Sequence, residues 1–109
     1  MADFAIKSGD TKPDLTATLL DANGAAVDIT GAAVKFSMKQ LGKSSAKISK
    51  AAVTIVLATA GTVKYVWGAS NTDTPGEFEG EFEVTFGDST VLTFPNDGYF
   101  TIEMLPQIA

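Results

Sequence analysis

The segment Glu77–Phe86 constrains the fold more than any other part of this sequence. It alternates strictly over ten residues, with apolar residues and one glycine on one side and polar residues on the other. Period two over this length is typical of a β-strand with one buried face and one solvated face. The apolar row contains Gly80, whose missing side chain predicts that a neighbouring large side chain or backbone segment approaches closely there.

Shorter alternating runs occur elsewhere in the chain, and turn residues separate them. The alternating runs are Leu15–Leu19, Val34–Lys39, Val63–Trp67 and Phe100–Met104. The turn signals are Asp21–Gly24, Gly68–Gly76, Gly87–Ser89 and Pro95–Gly98. Short strands with frequent turns predict an all-β fold, an antiparallel sandwich or barrel.

The segment Ser44–Ala60 allows two interpretations. Its apolar residues include four at helical spacing, but the cluster Val53–Val56 is rich in β-branched side chains, which favour a strand. We predict a strand here, preceded by a mobile polar loop over Leu41–Lys47.

Length and composition predict one folded domain over residues 1–109. The chain is 45% apolar, enough to close a single hydrophobic core. It contains no cysteine, so the fold depends on packing without disulfides. The first residues lack a signal-peptide pattern, and the apolar runs are too short to cross a bilayer, so we expect synthesis in a cytoplasm and no membrane contact.

Missing residue types argue against most enzymes and cofactors. The sequence contains no histidine and no cysteine, which removes the histidine-dependent nucleophile systems and almost every zinc site. It contains no arginine, and its net charge is −5, which argues against a nucleic-acid surface. We therefore predict a protein that is not an enzyme, holds no cofactor or metal, and binds no nucleic acid.

The polar side of Glu77–Phe86 carries four glutamates, for which four roles can be considered. Carboxylates two residues apart on a strand stand about 7 Å apart and point in parallel, which suits neither one metal ion nor a catalytic pair. Pairing across the sheet is the first alternative, with Lys35, Lys39 and Lys64 as opposite charges. A partner-binding face is the second, and the long loop Gly68–Gly76 is a further candidate contact. The candidate partner-binding residues are Asn71, Asp73, Glu77, Glu79, Glu81 and Glu83.

Two aromatic residues suggested other roles. Trp67 would suit sugar stacking if it were exposed, but its alternation with Val63 and Tyr65 predicts a core position. Tyr99 has two open interpretations, a buried corner residue or an exposed interface residue.

An ordered series of segments resembles a known family. The segments are Phe4–Pro13, Ala17–Leu19, Val27–Met38, Ala60–Tyr65, Asp73–Phe82, Thr93–Pro95 and Gly98–Phe100. The series resembles the N-terminal immunoglobulin-like domain of tailed-phage baseplate upper proteins and related tail proteins, over roughly residues 4–104. The resemblance implies an antiparallel immunoglobulin-like β-sandwich of about seven to nine short strands.

The same resemblance implies a function in assembly. We expect a virion structural module that attaches to tail or baseplate proteins, made in the host cytoplasm and present in several copies or as a homo-oligomer. A capsid decoration protein with the same fold and a carbohydrate-binding module are the alternatives. Family members often continue into long C-terminal regions, so a standalone adaptor and an excised domain both stay open.

Overall fold

The computed structural model describes residues 3–95 and 97–108, in which nine β-strands and two short 3₁₀ helices form. The strands are β1 (Phe4–Lys7), β2 (Leu15–Thr18), β3 (Ala33–Gln40), β4 (Ala46–Ala52), β5 (Thr54–Leu57), β6 (Thr62–Tyr65), β7 (Gly76–Thr85), β8 (Val91–Phe94) and β9 (Phe100–Leu105). The 3₁₀ helices are Ala58–Ala60 and Ala69–Thr72. Asn96, which belongs to the predicted turn Pro95–Gly98, lies outside the described residues. Residues 1, 2 and 109, at the ends of the predicted domain, also lie outside them.

The strands form two sheets. The large sheet has the order β1-β9-β7-β3-β4, and the small sheet has the order β2-β6-β5. Strand β8 also belongs to the large sheet, because it pairs with the second half of β7 while β9 pairs with the first half. The all-β prediction is confirmed, with two sheets arranged as the sandwich interpretation requires.

One pairing contradicts the prediction of a purely antiparallel fold. Strand β1 runs parallel to β9, with Phe4 opposite Ile102 and Lys7 opposite Leu105. All other pairings between these named strands are antiparallel. Alternation in a sequence shows which face a residue occupies, but it contains no information on strand direction, so the parallel pair could not be read from it.

Aromatic side chains from both sheets meet in the core. Phe36 of the large sheet lies 4.8 Å from Tyr65 of the small sheet and 5.1 Å from Phe82, measured between ring centroids. Trp67 is 3% exposed and packs edge-on against Tyr65 at 5.3 Å. The predicted core position of Trp67 is therefore confirmed, and ring contacts of this kind add to the free energy of area burial.

The close approach predicted at Gly80 is also confirmed. A Cβ atom built at this position would lie 2.9 Å from Cζ of Phe100 and 3.0 Å from Cε1 of Phe36. Ordinary carbon contacts are about 3.5–4.0 Å, so the two rings fill the space that any side chain would need.

The ambiguous segment Ser44–Ala60 is mostly strand. Strand β4 pairs with β3, β5 pairs with β6, and the helical geometry is limited to the 3₁₀ turn at Ala58–Ala60. The predicted loop Leu41–Lys47 is two residues too long, because β4 begins at Ala46. Pairing with β3 decides the start of β4, and the local sequence does not show that long-range contact.

Candidate interaction surfaces

The outward side of the large sheet holds the predicted acidic row. Glu77, Glu79, Glu81 and Glu83 alternate along β7 with residues that are buried against the small sheet. Glu103 of β9 lies directly opposite Glu77, which adds a fifth carboxylate to the same surface. We call this surface, made of these five glutamates, the acidic face.

Strand β3 brings lysines to the side of the acidic face opposite β9. Lys35 is opposite Glu83, and Lys39 is opposite Glu79. Nζ of Lys50 on β4 lies 3.5 Å from a carboxylate oxygen of Glu83. The predicted cross-sheet placement of Lys35 and Lys39 is confirmed, and it moderates the repulsion between carboxylates on the β3 side of the face.

The prediction for Lys64 is wrong. Lys64 belongs to β6 of the small sheet, where it lies opposite Thr16 of β2. Its Nζ atom is 3.8 Å from a carboxylate oxygen of Asp14. Alternation placed Lys64 correctly on an outward surface, but it could not show which of the two sheets that surface belongs to.

The β9 side of the acidic face has an excess of negative charge. Glu77 and Glu103 are direct cross-strand neighbours, and Glu79 is opposite Thr101. Among the described residues, no lysine amine lies within 4.0 Å of a carboxylate oxygen of Glu77, Glu79, Glu81 or Glu103. Like charges directly opposite one another destabilise a sheet, so this arrangement lowers the stability of the isolated domain.

Two shallow depressions flank Glu79 on the acidic face. One has a volume of about 230 Å³ and includes Ser37, Glu81 and Tyr99 in its walls. The other has a volume of about 350 Å³ and is bordered by Leu41, Glu77 and Glu103. Tyr99 is 55% exposed and Leu41 is 54% exposed, so the open question about Tyr99 is settled in favour of an exposed position.

Hydrogen bonds hold the loop between β6 and β7 in place against the rest of the domain. Oδ1 of Asn71 accepts hydrogen bonds from the hydroxyl of Tyr65 at 2.8 Å and from the amide of Gly68 at 2.7 Å. Thr72 is fully buried, and its hydroxyl donates to the carbonyl of Asp10 at 2.8 Å. Burial raises the pKa of Tyr65, which keeps its hydroxyl protonated as the donor.

Asp73 has an internal partner as well. Its carboxylate accepts hydrogen bonds from the Lys47 amine and the Thr74 hydroxyl, and these bonds hold the pKa of Asp73 below its ordinary value of 3.8. Neither Asn71 nor Asp73 lines the depressions beside Glu79. The structure therefore does not bring these two predicted residues together with the acidic row, and their role in partner binding stays a prediction.

An apolar groove is the feature that sequence reasoning missed. It has a volume of about 300 Å³ and lies between β2 of the small sheet and the aromatic side chains Phe4, Phe82, Phe94 and Phe100 of the large sheet. These residues come from separate strands, so no local pattern in the sequence predicts that they border one opening. A partial signal exists at Ala17, the small residue between Leu15 and Leu19 on the inward side of β2.

Other types of site find no support in the part of the chain that the structure describes. No group of three acidic side chains is placed to hold a metal ion, and no helix is long and apolar enough to cross a membrane. Trp67 and Tyr65 are buried, so neither forms an exposed sugar-stacking surface. Comparison with known proteins adds nothing to this, because no family model and no curated protein matches the sequence.

Proposed function

We propose that this chain is a structural attachment module of a tailed-phage particle, which binds tail or baseplate proteins through its acidic face and carries out no catalysis. The resemblance to immunoglobulin-like baseplate domains supports the placement in a virion. The excess of negative charge on the β9 side of the acidic face supports the use of the large sheet as the contact surface. Several copies around a symmetric tail would each present this same face.

The strand order supports the finer proposal of an immunoglobulin-like fold. In variable-type immunoglobulin domains, strands B, E and D form one sheet, and strands G, F, C and C′ lie in the other. Here β2, β6 and β5 occupy the positions of B, E and D. Strands β3, β4 and β7 occupy C, C′ and F, and the collinear pair β8 and β9 occupies G. The inter-sheet disulfide of antibody domains has no counterpart, because the chain has no cysteine.

The facing pair Glu77 and Glu103 is the observation that carries the assignment of the contact surface. This pair lowers the stability of the isolated domain, and a lysine or arginine from a neighbouring protein would relieve the repulsion. Tyr99 and Leu41 add exposed apolar area beside the carboxylates. Aromatic residues are enriched at the centre of protein interfaces, so the face combines two features that a protein partner uses.

A reconstitution experiment tests this proposal. Purified protein is mixed with phage particles that lack it, and the bound fraction is measured after sedimentation of the particles. We expect Glu79→Lys and Glu103→Lys each to reduce the bound amount at least tenfold, and we expect wild-type binding to weaken as salt increases. The control is Thr54→Lys, which adds a positive charge to the exposed surface of the small sheet.

Two results would contradict the proposal. Equal binding of wild-type protein, Glu79→Lys and Glu103→Lys would exclude the acidic face as the contact surface. Absence of the protein from mass spectra of purified wild-type particles would exclude the virion function itself.

A further inference from the structure

The apolar groove lies beside a strand edge that has no partner in the described residues. Strand β2 is the first strand of the small sheet, and it pairs only with β6. The backbone N–H of Leu19 donates to the carbonyl of Gly61 at 2.8 Å. By the alternation of antiparallel pairing, the backbone N–H and C=O groups of the odd-numbered residues in this segment therefore point toward β6. Thr16 and Thr18 therefore direct their backbone N–H and C=O groups to the opposite edge, because antiparallel strands alternate in this way.

Within Leu15–Thr18, the edge of β2 lacks the features that usually prevent strand addition. Natural sheets protect their edges with bulges, lysines or prolines. Strand β4 has two register shifts and carries Lys47 and Lys50, and β5 has one register shift. The outward residues of β2 are uncharged, and its pairing with β6 is regular over all four residues.

The groove has an apolar aromatic side, a backbone side and one carboxylate. Phe4, Phe82, Phe94 and Phe100 make one side apolar, and the β2 backbone forms the other side. Asp3 is the one charged residue among those that line the groove, and one of its carboxylate oxygens accepts a hydrogen bond from the Thr101 amide at 2.8 Å. A complementary occupant is therefore extended, apolar on the side that faces the rings, and basic near Asp3.

We propose that this groove accepts an extended strand from another protein, which pairs with β2 as a fourth strand of the small sheet and places a basic residue beside Asp3. Backbone hydrogen bonds to Thr16 and Thr18 would supply affinity, and alternate side chains entering the aromatic side would supply specificity. The length from Leu15 to Leu20 accommodates about six residues of such a strand.

A second copy of this chain fits the groove less well. Two β2 edges facing each other would present the small side chain of Ala17 to each groove and would leave most of the apolar volume unfilled. Both copies would also bring the same negative charge at Asp3. The acidic face lies on the outward side of the other sheet, so this proposal is independent of the proposed virion contact.

A peptide titration followed by NMR tests the strand-addition proposal. The probe is the capped hexapeptide Lys-Val-Thr-Val-Thr-Val, added to ¹⁵N-labelled full-length protein. We expect the largest shift changes, and slowed amide exchange, at Thr16 and Thr18. Replacing the lysine of the peptide by glutamate is expected to weaken binding severalfold, because the glutamate would face Asp3.

Two variants on one strand distinguish groove binding from nonspecific adsorption. Ala17→Leu fills the groove from the inward side of β2 and is expected to weaken binding at least tenfold. Thr16→Leu adds a side chain of the same size on the outward side and is expected to stay within twofold of wild type. Thermal melting of both variants shows whether the fold is intact. A third variant, Thr18→Pro, removes one backbone N–H at the outer edge of β2 and is also expected to weaken peptide binding.

Several results would overturn the proposal. One is the absence of peptide binding at millimolar concentration, and another is equal binding by wild type and Ala17→Leu. A third is protection of the Thr16 and Thr18 amides in the protein alone together with a dimer in sedimentation equilibrium, which would assign the edge to a second copy.

Discussion

The substitution Gly80→Ala tests whether the core depends on a missing side chain. Gly80 lies in the middle of β7, where its added Cβ would be 2.9 Å from Phe100, 3.0 Å from Phe36 and 3.2 Å from Ile102. Two of these contacts are with aromatic rings, which move only as rigid bodies inside a packed core. The methyl group therefore forces at least one ring out of its present position.

The expected cost follows from two opposing effects. Overpacking of a core costs about 1–3 kcal/mol. Replacing glycine by alanine restricts the unfolded chain and offsets about 0.4–1 kcal/mol of that cost. Taking the middle of each range, we expect Gly80→Ala to lower the free energy of unfolding by about 1.3 kcal/mol, with a Tm decrease of about 4–8 °C per kcal/mol.

Urea unfolding measures this effect directly. Trp67 is the single tryptophan of the chain and is buried, so its fluorescence follows loss of the core. The control is Gly87→Ala, because a Cβ at Gly87 meets no atom within 4 Å, and the change should stay within about 0.5 kcal/mol of wild type. In a Phe100→Leu background, Gly80→Ala should cost less, since the closest ring is gone. Wild-type or higher stability of Gly80→Ala would refute the packing explanation.

Three further predictions concern single polar groups. Tyr65→Phe removes the hydroxyl that donates to Asn71 and should lower the free energy of unfolding by about 0.5–1.5 kcal/mol in thermal or urea unfolding. Hydrogen bonds from Thr90 hold the pKa of Asp88 below 3.8, so this stabilisation is present above the ordinary pKa and disappears as the pH falls through the lowered value. Urea midpoints of Asp88→Asn should accordingly fall less steeply than those of wild type below about pH 4. Lys35→Glu places a like charge opposite the acidic row and should cost about 0.2–1 kcal/mol, an effect that added salt should reduce.

The sequence predicted the positions of strands best where a strand has one buried face and one solvated face. The alternation of Glu77–Phe86 located β7 within one residue at each end, together with the close contacts at Gly80. Alternation arises from the geometry of a single strand, so it can be read without knowing the partners of that strand. Strands β3 and β9 were located for the same reason.

Features that depend on which strands become neighbours were not predictable. Lys64 is outward, as expected, but it belongs to the other sheet. The parallel pairing of β1 with β9 joins segments almost a full chain length apart. Sequence patterns record local periodicity, and these outcomes depend on long-range packing.

The candidate site was predicted in part. The four glutamates of β7 were named from the sequence, whereas Glu103 and Leu41 joined them only through folding. The loop position of Asn71 predicts a partner contact, and this stays a prediction. What the sequence does not show is that the amide oxygen of Asn71 accepts hydrogen bonds from Tyr65 and Gly68, which stabilise the loop. The apolar groove was missed because its sides come from both sheets.

The parallel pair β1 and β9 determines how the domain responds to tension. The chain enters β1 at one end of the pair and leaves β9 at the opposite end, with backbone bonds from Asp3 to Thr101 and from Ser8 to Leu105 at its two limits. A force that pulls the ends of the chain apart along these strands loads the bonds between them together, in shear. Bonds loaded together share the force, whereas bonds at the end of a peeled hairpin break one at a time. Tension applied between the start of β1 and the end of β9 is therefore resisted by all of these bonds at once.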